Sequence, residues 1–233
     1  MCSSDLPKKA NLINCLDDNV RVELGRSTPQ GGESAFISLE KAVDDLLAQK
    51  IDVLVTAPID KHNIQSERFS FRGHTEYLRS KSGVEEALMF MISENMGIGF
   101  VTGHVPVRDI AGAITIESVV AKIRIMNRSL VTDFGLRKPR IAVLSLNPHA
   151  GDNSLIGDEE EKVIIPALNQ VEKEGIMAFG PFAADGFFGA GDFSKFDAIL
   201  SMYHDQGLSA FKALAFDSRS EEHTSELQSR QSI

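Results

Sequence analysis

Short apolar runs alternate with amphipathic stretches along most of the chain. Apolar residues recur at spacings of three and four within residues 33–50 and 116–131, and this period predicts two amphipathic helices. A third helix is predicted over residues 158–174, where acidic residues in the first turn suit the positive end of the helix dipole. Shorter helices are predicted at residues 60–65 and 75–81.

Compact apolar runs lie between these helices and predict buried strands. The runs cover residues 51–56, 87–92, 98–102, 140–146 and 197–202. Strands that alternate with helices favour an α/β fold, with mostly parallel sheets and helices on their faces. The length of 233 residues is enough for one large α/β domain or two smaller ones.

Composition narrows the class of protein. The chain is 42% hydrophobic and 24% charged, which is typical of a globular protein and excludes collagen-like and wholly disordered chains. The net charge of −9 argues against nucleic acid as a partner, and no apolar run approaches the ~20 residues that a membrane span needs. Two cysteines are too few for a disulfide framework, so we expect a cytoplasmic protein.

Both ends of the chain have an unusual sequence. Residues 219–229 resemble the translation of a sequencing-library adapter, and residues 2–6 resemble that of a companion adapter. Residues 218–233 contain only Leu227 and Ile233 as large apolar side chains, too few to bury a face. We therefore expect a non-native leader over residues 1–6, a non-native tail over residues 218–233, and an incomplete protein between them.

Three histidines share one position relative to the predicted strands. His104, His149 and His204 each follow an apolar run, and His74 follows a weaker one. The carboxyl ends of the strands form the ligand crevice of an open α/β sheet, so these side chains can converge. Neutral imidazoles are good ligands for zinc, cobalt or manganese. A lone histidine is more often an ordinary loop or core residue, but three equivalent positions favour a metal site.

The segment that contains His149 is polar and rich in glycine. It runs through residues 146–152 and leads into the acidic start of the helix predicted at residue 158. Such a loop can point backbone N–H groups at an anion, or it can be a plain turn before a helix. The plain turn is favoured, because acidic residues at the helix entry disfavour a phosphate there. No dinucleotide fingerprint, Walker loop or nucleophile elbow occurs in the sequence.

Five motifs in a fixed order resemble one enzyme family. They are Gly-His-Thr-Glu at 73–76, Thr-Gly-His-Val-Pro-Val-Arg-Asp-Ile at 102–110, Leu-Asn-Pro-His-Ala-Gly at 146–151, Gly-Pro with Ala-Asp at 180–185, and Tyr-His-Asp-Gln-Gly-Leu at 203–208, followed by Lys212. The set resembles the 4-hydroxythreonine-4-phosphate dehydrogenase family of pyridoxine phosphate biosynthesis.

The resemblance implies an architecture and an assembly. It implies a homodimer whose subunits have two α/β domains, as in isocitrate- and isopropylmalate-type dehydrogenases, with the active site at the subunit interface. Residues 7–217 are then a partial two-domain dehydrogenase. The resemblance also implies that NAD binds without the usual glycine fingerprint, through residues that the sequence does not identify.

The resemblance implies roles for eight residues. The metal ligands are His104, His149 and His204, and the metal is Zn, Co, Mg or Mn. Substrate-contacting positions are His74, Thr75 and Lys212. Asp185 and Asp205 match acidic positions near the metal and, with Lys212, are the candidate catalytic residues.

The implied reaction is an oxidation with decarboxylation. 4-Phosphohydroxy-L-threonine, a phosphorylated small molecule, becomes 3-amino-2-oxopropyl phosphate in an NAD- and metal-dependent step of pyridoxine 5'-phosphate biosynthesis. Two alternatives stay open. A metal-dependent hydrolase would use the same histidines to activate water and would act without NAD, and an inactive truncated fragment would bind metal without turnover.

Overall fold

The computed structural model describes residues 11–17, 19–21, 23, 25–94 and 96–215. The chain divides into two compact units, residues 1–84 and residues 85–233, called unit 1 and unit 2 below. The expected leader at residues 1–6 and tail at residues 218–233 lie outside the described residues. No helix in the described part of the chain combines the length and the apolar character needed to cross a membrane.

The described part of unit 1 contains two α-helices. Helix α1 is Pro29–Leu47, and the hydroxyl of its N-cap residue Thr28 accepts a hydrogen bond from the Gly31 N–H (3.1 Å). The N–H groups of the first helical turn have no acceptor within the helix, so Pro29, which lacks an N–H, is tolerated there. The helix therefore begins before the predicted residue 33. Helix α2 is His74–Ser82 and ends at Gly83, whose φ of 66° is left-handed.

The core of unit 1 is largely aromatic. Phe36 of α1 contacts Phe69 and Tyr77 edge-on, with ring centroids 5.8 and 6.1 Å apart. Burial and the nearby negative charges of Glu40 and Asp44 raise the pKa of Tyr77 to about 12. The Tyr77 hydroxyl has no hydrogen-bond partner among the described residues.

Two predicted elements of unit 1 are wrong. Residues 51–56 form no strand, because a strand depends on a ladder with a neighbour and none of the described strands forms a ladder with this run. Val53 and Val55 in this run are 62% and 80% exposed. Residues 60–65 form turns rather than a helix, because the Asp60 carboxylate accepts the N–H groups of His62 and Asn63. This local bonding competes with the helical pattern.

Unit 2 is built on a five-stranded sheet. Its strands are β1 (Phe90–Ile92), β2 (Gly97–Thr102), β3 (Arg140–Leu144), β4 (Met177–Phe182) and β5 (Ala198–Tyr203). The order across the sheet is β1-β2-β5-β3-β4, with only β1 antiparallel to its neighbour. The predicted mostly parallel α/β arrangement is confirmed. Strand β4 was not predicted, because its Gly180-Pro181 pair is typical of a turn; an edge strand tolerates proline.

Helices cover both faces of this sheet. The helices of unit 2 are α3 (Ile110–Ala113), α4 (Ile116–Thr132), α5 (Ile165–Lys173), α6 (Ala184–Gly189) and α7 (His204–Ala215). Ile141 and Val143 of β3 pack in the cluster with α4 and α5, whereas Ala142 and Leu144 pack in the cluster with α6 and α7. This alternation is the pleat of a strand that is buried on both sides.

The helical predictions for unit 2 hold in part. Helix α4 matches the predicted 116–131 within one residue. The predicted helix over 158–174 is a π-helical stretch, Glu160–Ile164, that continues into α5. The apolar pattern does not predict α6 or α7. Helix α6 begins two residues after the end of β4 and α7 follows directly on β5, and both pack on the second face of the sheet.

Candidate functional site

The candidate residues of unit 2 gather at one edge of the sheet. Strands β2, β5, β3 and β4 are parallel neighbours, so their carboxyl ends share an edge. His104 follows β2, His204 follows β5, His149 follows β3, and Asp185 follows β4. Ligands of open α/β sheets bind at this edge, so the topology places all four residues where a site is expected.

His104 and His204 form a pair just beyond the ends of the adjacent strands β2 and β5. Their ring centroids are 5.6 Å apart with an interplanar angle of 39°. The Phe100 ring of β2 lies 5.6 Å from the His204 ring on the sheet side. His104 is exposed, and the His204 side chain is 31% exposed, so both imidazoles are open to solvent from the edge.

Asp205 contacts the imidazole of His204. The Asp205 Oδ1 lies 2.7 Å from Nδ1 of His204. A carboxylate in this position holds the proton on Nδ1 and leaves Nε2 as the free lone pair, which is the arrangement of many metal-binding histidines. The Asp205 side chain is 81% exposed, so this contact orients the ring more than it stabilises the fold.

His149 lies in a loop with an unusual backbone. Residues 149–154 all have positive φ values, from 43° to 80°, although only Gly151 among them is a glycine. The left-handed region is uncommon for other residues because Cβ approaches the following carbonyl. Local sterics therefore do not select this path, although backbone hydrogen bonds from Asp152 N–H to the His149 carbonyl (3.2 Å) and from Ile156 N–H to the Gly151 carbonyl (3.0 Å) support it.

Glu160 binds the part of the loop that precedes His149. Its carboxylate is buried (2% exposed for the residue), and Oε1 accepts hydrogen bonds from the N–H groups of Leu146 (2.8 Å) and Asn147 (2.7 Å). The Asn147 amide also donates to Oε2 (2.9 Å). The loop does point N–H groups at an anion, but that anion is a side chain of the same chain. The acidic run from residue 158 gave no sign that one of its members is buried.

Further side chains connect the strand ends next to the histidines. The Gln206 amide donates to the Ser145 carbonyl (2.6 Å) and accepts the Met202 N–H (2.8 Å), so it joins the ends of β3 and β5. The Thr102 hydroxyl donates to the Met202 carbonyl (2.9 Å) and joins β2 to β5. Thr102 and Gln206 stand in two of the five motifs, but the sequence gives them no role, because their partners are adjacent only in the folded sheet.

The described residues contain no group of three His, Cys, Asp or Glu side chains close enough to hold a metal ion. His149 is thus on the same edge as the His104–His204 pair but does not complete a three-ligand cluster with it. The metal role of these three histidines stays a prediction.

The remaining candidates are more scattered. Asp185 is exposed in the first turn of α6, and Lys212 is exposed on α7, about two turns beyond His204. His74 and Thr75 are half-buried residues at the start of α2 in unit 1. The start of a helix presents free N–H groups and a positive dipole end, which favours anionic groups.

The ordered motifs have a counterpart among known families. A family model described as pyridoxal phosphate biosynthetic protein PdxA matches residues 3–223. The chain belongs to the PdxA family. This membership confirms the resemblance drawn from the five motifs.

Relatives within the PdxA family carry one enzyme name. A 4-hydroxythreonine-4-phosphate dehydrogenase of Bacteroides thetaiotaomicron is 50% identical over 210 residues, covering 90% of this chain and 58% of the relative. One of Sulfurihydrogenibium sp. is 40% identical over 205 residues, covering 88% of this chain and 62% of the relative. The chain therefore spans about three-fifths of the length of these relatives.

A solved PdxA-family structure shares the fold. The crystal structure of the 4-hydroxythreonine-4-phosphate dehydrogenase of Klebsiella pneumoniae matches with a TM-score of 0.77 and 29% identity. The match covers 84% of this chain and 60% of that one. The mostly parallel α/β architecture of this chain is therefore shared with a solved enzyme.

Proposed function

We propose that the protein containing this chain is a 4-hydroxythreonine-4-phosphate dehydrogenase. It oxidises 4-phosphohydroxy-L-threonine with NAD and a divalent metal, and the product loses carbon dioxide to give 3-amino-2-oxopropyl phosphate. The observation that carries the proposal is the position of His104, His149 and His204 after three adjacent parallel strands in a PdxA-family chain. The names of its relatives supply the substrate.

The donor set of the His104–His204 pair fits a borderline divalent metal. Two imidazoles lie together at the ends of adjacent strands. One of them, His204, contacts the Asp205 carboxylate through Nδ1. Nitrogen donors favour Zn or Co over Mg, which prefers oxygen. A metal bound there would supply Lewis-acid chemistry, lowering the pKa of the substrate hydroxyl and stabilising negative charge on its oxygen.

Side chains of this protein then bind the substrate and accept its hydroxyl proton. Asp205 keeps the His204 ring in one orientation, and Asp185 and Asp205 are the candidate acceptors of the hydroxyl proton. Lys212 and the start of α2, with His74 and Thr75, contact anionic groups of the substrate. NAD would supply the hydride acceptor when bound; it enters the proposal from the family alone, and we assign no residue to it.

The proposal includes a shared site in a homodimer. Catalytic zinc sites use three protein ligands, whereas the His104–His204 pair supplies two. This shortfall supports a site that draws on both subunits, with His149 reaching the metal of its own subunit or of the partner. We further propose the two-domain plan of isocitrate-type dehydrogenases for the whole protein and a cytoplasmic location, the latter from the low cysteine content.

The test uses the complete reading frame that contains this sequence. We expect purified protein to retain a divalent metal after dialysis and to form NADH from 4-phosphohydroxy-L-threonine. Changing His149→Ala should lower metal content to background and abolish turnover, because too few ligands remain. The control is His62→Ala, since His62 is an exposed residue in a turn of unit 1.

Three results would contradict the proposal. Unchanged metal content in His149→Ala would remove this residue from the ligand set. Hydrolytic turnover of a phosphorylated substrate without NAD would favour the metal-dependent hydrolase. Metal uptake without any turnover would instead favour a fragment that only binds metal.

A further inference from the structure

Glu160 is a buried carboxylate whose hydrogen bonds all go to one loop. Its three hydrogen-bond donors are the N–H groups of Leu146 and Asn147 and the side-chain amide of Asn147. A buried carboxylate is costly unless donors satisfy it, so these bonds are needed to keep the group in place. In return, the carboxylate fixes the backbone that leaves strand β3.

The same carboxylate also lies close to the loop backbone at Gly151, two residues after His149. A Cβ added at Gly151 would lie 2.8 Å from Oε2 of Glu160 and 3.0 Å from the Gly157 carbonyl oxygen. The loop thus passes close to Glu160 both before and after His149. Between these two points the backbone is left-handed, a path that the loop residues do not favour by themselves.

We infer that Glu160 is a positioning residue, which holds the His149 loop and so sets the direction in which the imidazole faces the sheet edge. The consequence for metal binding rests on the proposed function, because it requires His149 to be a ligand. The effect on the loop itself does not depend on that role. Residues behind metal ligands commonly change metal affinity about 10- to 100-fold when they are substituted.

Glu160→Gln keeps the size of the side chain and one acceptor oxygen but removes the negative charge. In Glu160→Gln the remaining carbonyl oxygen can still accept the N–H groups of Leu146 and Asn147. The new NH₂ group would face the Asn147 amide, so a donor would meet a donor. Asn147→Ala loosens the same contact from the loop side, and Glu161→Gln is the matched control on an exposed neighbour.

The first measurement is the NMR spectrum of the ¹⁵N-labelled histidine rings in the 233-residue chain without metal. We expect the His149 signals to shift or broaden in Glu160→Gln and in Asn147→Ala, while those of His62 stay in place. Glu161→Gln should leave every histidine signal unchanged. Unchanged His149 signals in both loop variants would overturn the inference, whatever the metal result.

The second measurement is cobalt affinity, followed by absorption, with the melting temperature as a check on folding. Glu160→Gln should weaken cobalt binding about tenfold or more. Added to His149→Ala, it should weaken binding no further, because it acts through that imidazole. Equal losses in the presence and absence of His149 would overturn the positioning role. If the complete wild-type protein bound no cobalt, the proposed function would fail, and the ring signals would still decide the inference.

Discussion

Gly207 allows helix α7 to lie unusually close to the sheet. A Cβ at this position would lie 2.5 Å from the Ser201 hydroxyl oxygen and 2.8 Å from side-chain carbons of both Ile98 and Phe100. Ser201 and Ile98 are fully buried, so they have little free space to move into. The helix begins at His204, and any shift of α7 therefore reaches the candidate site.

The cost of Gly207→Ala follows from these distances. Ordinary contact is about 3.5 Å, so the helix or its neighbours must move by about 0.7–1.0 Å. Overpacking of this kind costs about 1–3 kcal/mol, and the better helix propensity of alanine returns about 1 kcal/mol. We expect a net loss of about 1 kcal/mol in the free energy of unfolding, which lowers the melting temperature by about 2–4 °C.

Gly186→Ala is the matched control. Gly186 also lies in a helix, α6, and nothing lies within 4 Å of a Cβ built there. This variant should be neutral or up to about 1 kcal/mol more stable. Urea unfolding followed by far-ultraviolet circular dichroism suits a chain without tryptophan.

The comparison can refute the reasoning. If Gly207→Ala were as stable as Gly186→Ala, the close approach of α7 to β2 and β5 would not constrain the fold. We also expect cobalt affinity to fall in Gly207→Ala alone, because only this substitution displaces the helix that carries His204. A loss of stability without a loss of affinity would separate the packing of α7 from the site.

Two further predictions concern unit 1. Gly32→Ala should be strongly destabilising in thermal unfolding, because its Cβ would lie 2.0 Å from the Asn63 carbonyl oxygen, whereas at Gly31 the nearest atom is 3.2 Å away; equal melting temperatures for the two variants would contradict this. Tyr77, with a pKa of about 12, should make stability fall as pH rises from about 10 to 12, because only the unfolded chain ionises freely there. Tyrosinate absorbance in Tyr203→Phe isolates Tyr77, and ionisation near pH 10 would refute its burial.

Local sequence pattern is enough to predict part of the fold. Helix α4 and strands β2, β3 and β5 follow from apolar spacing, because these segments bury an entire face or both faces. The common edge of His104, His149 and His204 also follows from sequence, since each residue comes after such a run. The family follows from five short motifs in order.

Tertiary structure decided whatever depends on a distant partner. Residues 51–56 have the composition of a strand but form no ladder with a described strand, whereas β4 contains Gly-Pro and still pairs along β3. A strand is defined by its neighbour's hydrogen bonds, and apolar pattern does not specify that neighbour.

The side chains that support the candidate site also depend on distant partners. Glu160 belongs to an acidic run in the sequence, and only the folded chain brings its carboxylate to the N–H groups that precede His149. Gln206 likewise meets Ser145 only where β3 and β5 lie side by side. The sequence could identify imidazoles at strand ends, because that position is local. It could not identify the groups that orient them, because a buried hydrogen bond is a property of two segments that folding brings together.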